Sequence, residues 1–112
     1  MIEPLIELRI SEAAALSIVE QAEYYEQAAD KALAQKWETA VDEAIGSLLK
    51  FPERGARCRF RSPKLADLRW IFVPGFPKHL VFYRYLAVEA AVLIVQIQYG
   101  PRDLEAILDP DS

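Results

Sequence analysis

The chain has 112 residues, 53% of them hydrophobic, a formal net charge of −4 and a pI near 5.0. One domain of this length buries an ordinary core, the apolar content argues against intrinsic disorder, and the single cysteine, Cys58, can form no internal disulfide and belongs to no Cys/His cluster of metal-binding pattern. The acidic balance argues against direct nucleic-acid binding, so the expectation is a protein without metal or cofactor.

The N-terminus, MIEPLIELRI, lacks the basic start and apolar run of a signal peptide. Apolar segments end well before the ~18 residues of a membrane span. The expected setting is therefore the cytoplasm, with no membrane contact. Charge is unevenly spread. Residues 1–50 hold ten acids and four bases, whereas residues 51–103 hold four acids and nine bases, a local excess of +5. Such a half can meet an acidic partner even when the whole chain is acidic.

Leu5 to Ile10 partly alternates and predicts a short strand. Ser11 then stands where an N-cap belongs, followed by Glu12 against the positive helix end. Ala15, Ile18, Ala22, Tyr25 and Ala29 recur at helical spacing, which predicts an amphipathic helix from Ser11 to about Ala28. Asp30 is the next cap. Leu33, Trp37, Ala40, Val41, Ala44, Ile45 and Leu48 predict a second helix ending near Lys50, and the short link implies an antiparallel hairpin. Phe51-Pro52-Glu53-Arg54-Gly55 stops it, because proline breaks the ladder and glycine permits the turn.

Residues 56–67, ARCRFRSPKLAD, read as a basic loop. Leu68–Val73, His79–Leu86 and Val92–Gln98 are rich in β-branched and aromatic residues and predict three strands of an antiparallel meander. Each is too apolar to be wet on both sides, and the helix hairpin is the expected cover. The predicted architecture is α+β, a β-α-α-β-β-β two-layer domain over residues 1–108, with a short acidic tail at 109–112.

Three blocks carry a resemblance: the Tyr24-Tyr25 pair ending the first helix, FPERG after the second, and LRWIFVPGFPKHLVFYR with VLIVQIQYGPRDLEAIL across the strands. Together they resemble the RelE/ParE superfamily of bacterial toxins, in its ParE branch, the toxins of plasmid-stabilisation operons. Tyr99 departs from the pattern, standing where many relatives have histidine. The resemblance implies a toxin of a type II toxin–antitoxin module, neutralised by a cognate antitoxin with an acidic or amphipathic tail. For ParE-like members it implies inhibition of DNA gyrase by protein contact, and for RelE-like members ribosome-dependent mRNA cleavage. A non-toxic, antitoxin-binding homologue is a third class.

Metal-free RNA cleavage needs a base, an acid and cations around the phosphate. Arg69, Arg84, Tyr99 and Arg102 are the residues available for it, with Lys64 and Lys78 near in sequence. Tyrosine titrates near ~10 unless cations help it, so this set is poor. The structural reading ranks first: Arg69 and Arg84 as edge arginines paired with a carboxylate such as Asp103, His79 as a turn or edge residue, and Trp37 and Trp70 as packing residues. Arg54, Arg57, Arg59, Arg61 and Arg102 are the candidates for contacting a target. Cys58 sits between arginines that could lower its pKa, but it has no base partner and reads as incidental.

Overall fold

The computed structural model describes residues 5–100. Arg102, Asp103, the boundary at Leu108 and the tail at 109–112 lie outside the described residues. The elements run β1 (Glu7–Ile10), α1 (Glu12–Ala28), α2 (Lys31–Lys50), β2 (Ala56–Arg57), β3 (Arg69–Val73), β4 (Phe76–Leu86) and β5 (Ala91–Tyr99). The sheet order is β1-β5-β4-β3-β2. Neighbours are antiparallel except β1, which runs parallel to β5 and forms one edge. The two-residue β2 is an addition to the expected strands and forms the other edge.

Both helices start where their caps predict. Ser11 Oγ accepts from the Ala14 N–H at 3.0 Å and donates to the Val95 carbonyl at 2.7 Å, so the cap also ties α1 to β5. Asp30 Oδ1 accepts from the Leu33 N–H at 2.8 Å. In α2 the expected stripe is buried from Trp37 to Leu48. In α1 the stripe is displaced: Ala14 is buried, whereas Ala15 and Ala29 are exposed. Ile18, Ala22 and Tyr25 still pack on the core. Alanines flank the stripe on both sides, so apolar spacing alone could not fix its edge.

The hairpin between β3 and β4 turns through Pro74-Gly75, with Gly75 at φ +80. Proline before a positive-φ glycine is the pattern of a type II turn. Beyond it, alternate residues divide the sheet into two faces. Ile71, Val73, Val81, Tyr83, Val92, Ile94 and Ile97 pack with the helices. Leu80, Phe82, Trp70 and Val95 face the other way and pack with Leu65, Leu68, Cys58 and Phe60. The basic segment is thus itself a cover for the outer face, correcting the expectation that only the helix hairpin could serve. It hides an apolar set (Cys58, Phe60, Leu65, Leu68) between its arginines.

Candidate functional site

Two ends of the molecule carry chemistry. At one end, β2 and the loop before it meet the start of β3. Gly55 donates its N–H to Tyr83 Oη at 2.8 Å, and the Tyr83 hydroxyl donates to the Pro52 carbonyl at 2.8 Å. The Arg69 guanidinium donates to the carbonyls of Glu53 and Gly55, both at 2.9 Å. FPERG is therefore a docked loop, and Arg69 holds it through main-chain oxygens rather than through a carboxylate. Arg84 lies on the opposite face of the sheet, paired with the Asp67 carboxylate and the Lys64 carbonyl. Arg54 and Arg57 are exposed at this end, and Arg59 and Arg61 are exposed in the segment that follows β2. Arg57 stands directly across from Arg69 in the β2–β3 register. Like charges opposed on a ladder are unfavourable, so the pairing concentrates positive potential there.

The other end centres on His79, which is 2% exposed in β4 rather than the turn or edge residue expected after Pro77-Lys78. Its Nε2 lies 2.7 Å from Tyr25 Oη, and the two share one proton, donated by either partner according to tautomer. The rings of Tyr99 and Trp37 lie 4.9 and 5.5 Å from the imidazole. Burial lowers the His79 pKa below the usual histidine value and raises that of Tyr25. At neutral pH the pair is uncharged. Alternation predicts this placement: His79, Val81 and Tyr83 share one face of a strand.

A cavity of about 410 Å3 opens beside this cluster, between α1 and the last residues of β5. Ser17, Glu20, Gln21 and Tyr24 of α1 form one wall, Gln98 and Tyr99 another, with Trp37 and His79 behind. The Trp37 indole N–H is buried and has no acceptor among the described residues. An unpaired buried donor costs about 1–3 kcal/mol. Tyr99 is 46% exposed and also meets a smaller cavity of about 240 Å3 that includes Lys78.

Of the residues weighed for catalysis, the three that the structure describes do not converge, and Arg102 lies outside the described residues. Arg69 pairs with Tyr83 on β4 and Tyr99 pairs with His79, so about 13 Å of strand separates them. Arg84 is on the far face. Burial raises the Cys58 thiol to about 11, rather than the lowering that adjacent arginines could bring. Among the described residues no group of three His, Cys, Asp or Glu could hold a metal, and no helix is long and apolar enough to cross a membrane. Glu20, Tyr24, Tyr25, Trp37 and His79 were not singled out as site residues by their spacing, because the cavity joins residues far apart in the chain.

A helix hairpin on a mixed five-stranded sheet defines a small two-layer α+β class shared by bacterial toxins of the RelE and ParE kinds. The chain resembles the ParDE toxin–antitoxin system of P. aeruginosa, with a TM-score of 0.70 and 15% identity over 87% of this chain and 98% of that one. It resembles a double arginine-to-alanine mutant of the E. coli toxin RelE in the free state, with a TM-score of 0.60 and 12% identity over 93% and 90% of the two chains. The RelBE2 complex of Mycobacterium tuberculosis gives 0.58 and 16% over 86% and 99%. No curated protein matches the sequence. Residues 8–104 match the family described as the ParE toxin of the type II toxin–antitoxin system parDE, and the chain belongs to that family.

Proposed function

We propose that this toxin-family chain is neutralised by a cognate antitoxin and acts on DNA gyrase by protein contact, without catalysis of its own. The observation that carries the second part is the dispersal of Arg69, Arg84 and Tyr99, set against the exposed arginines from Arg54 to Arg61. A phosphoryl-transfer site must gather cations and proton carriers around one phosphate. Here one arginine clasps a loop and another pairs with Asp67. The exposed arginine end offers a steering surface for an acidic protein or an acidic antitoxin tail. The resemblance to ParDE and RelBE assemblies supports the antitoxin as partner. Supercoiling by purified gyrase tests the target: inhibition at stoichiometric toxin is expected, and undisturbed supercoiling at saturating toxin would sink the reading.

One observation favours a second reading, a ribosome-dependent mRNA endonuclease. Tyr99 is exposed, stacks near His79 and shares a cavity with Lys78, which brings a phenol, an imidazole and a cation to one corner. Primer extension on translated mRNA separates the two. Codon-positioned cuts abolished by Tyr99→Phe would establish cleavage and displace gyrase.

A further inference from the structure

The cavity between α1 and β5 is absorbed by neither gyrase contact nor loop docking, and its composition is specific. Among the described residues its lining includes one charged side chain, Glu20, and no lysine or arginine. Two tyrosines, Tyr24 and Tyr99, border it and also border an adjoining cavity of about 370 Å3. Tyr24 is 62% exposed, so its ring is free to be covered. Leu16, Glu20 and Tyr24 follow at intervals of four along α1 and therefore stack in one exposed row. The helix carries Glu12, Glu20, Glu23 and Glu26 with no basic residue. This is the reverse of the arginine end.

We propose that this cavity seats an arginine side chain presented by a protein partner. The partner is the antitoxin, and to that extent the inference rests on the reading above. A guanidinium is planar and weakly hydrated, stacks on tyrosine faces and offers a fork of donors. Glu20 supplies the carboxylate, and the Gln98 and Gln21 side chains supply neutral oxygens. The neutral His79–Tyr25 pair behind the cavity adds no opposing charge. Lys78 belongs to the smaller cavity that meets Tyr99, not to this one. The volume of about 410 Å3 falls within the range of small-ligand clefts. The partner segment lying along α1 is accordingly cationic, whereas the arginine end takes an acidic one.

The test is a titration of the whole chain with N-acetyl-arginine methylamide, its neutral isostere N-acetyl-citrulline methylamide serving as control. The Trp37 indole N–H resonance is read by NMR; the chain has only two tryptophans. A saturable millimolar shift is expected for arginine, with citrulline about tenfold weaker or worse, because the charge contributes about 1.4 kcal/mol or more. Glu20→Gln and Tyr24→Ala, both changes of exposed side chains, should each abolish saturation while leaving the melting temperature unchanged. Equal shifts with citrulline, or no saturation, would overturn the proposal. Arg102 follows Tyr99 by three positions in the sequence and is therefore tested as an alternative occupant. Tighter probe binding by Arg102→Gln would give the seat to that residue and overturn the assignment to a partner. Antitoxin capture by the wild-type chain is measured separately. Its failure, alongside retained arginine binding, would remove the toxin–antitoxin reading and with it the assignment of the arginine to a partner.

Discussion

Gly55 illustrates how one missing side chain holds an end of the molecule together. A Cβ there would lie 2.5 Å from Tyr83 Oη, a contact that real structures do not tolerate, and Tyr83 is itself fully buried. Gly55→Ala must therefore displace the tyrosine or the loop, breaking bonds to Pro52 and Gly55 itself. We expect a loss of about 1–3 kcal/mol, seen as a lower urea midpoint with an unchanged slope; wild-type stability would contradict the docked-loop account. His79 gives a pH signature. Burial lowers its pKa in the folded state, so the unfolded chain binds the proton more readily. Stability is complete above the unfolded value near ~6.5 and declines as pH falls through that value toward the folded one. Among the described residues, the rings meeting the imidazole are those of Tyr25, Trp37, Phe76 and Tyr99. Thermal melts from pH 7 to 5 should fall less for His79→Gln than for wild type, and parallel curves would contradict the assignment. The sequence announced Gly55 as a turn residue, but no local pattern shows that Tyr83, 28 positions later, fills the space its side chain would take.

The elements were legible in proportion to how sharply their apolar stripe contrasts with its flanks. In α2, charged residues bracket Trp37, Val41, Ala44 and Leu48, and the stripe read correctly. In α1, Ala13, Ala14 and Ala15 are equivalent as letters, and only contact with β5 selects Ala14. The parallel placement of β1 beside β5 was beyond reach, since nothing local to either strand encodes the long-range pairing. The segment between β2 and β3 was misread for a related reason. Its arginines dominate the composition, while Leu65 and Leu68 at irregular spacing supply the burial. That cover has a measurable strength. Leu68 is fully buried against the outer face, and Leu68→Ala should cost about 2–5 kcal/mol in a denaturant melt. A change below ~0.5 kcal/mol, the usual range for a surface position, would show that the outer face is in effect open.

At the scale of the whole molecule, the asymmetry of charge seen along the chain becomes an asymmetry in space. Arg54 of the docked loop and Arg57 of β2 lie beside the start of β3, and Arg59 and Arg61 follow in the segment that covers the outer face. The charged residues of α1 are all glutamates, and that helix borders the tyrosine-lined cavity. The sequence divided the charges correctly but could not show that the glutamates border a cavity, nor that Arg69 and Tyr99 are held apart by the four residues from His79 to Tyr83 along β4. That separation turns the argument from cleavage toward contact. The most direct test is gyrase supercoiling with three purified proteins: wild type, Tyr99→Phe, and a variant with Arg54, Arg57, Arg59 and Arg61 changed to glutamine. The account predicts inhibition by wild type and by Tyr99→Phe alike, and a loss of at least about tenfold in potency for the arginine variant, equivalent to about 1.4 kcal/mol of contact. Inhibition that survives removal of the arginines but vanishes with Tyr99→Phe would contradict it.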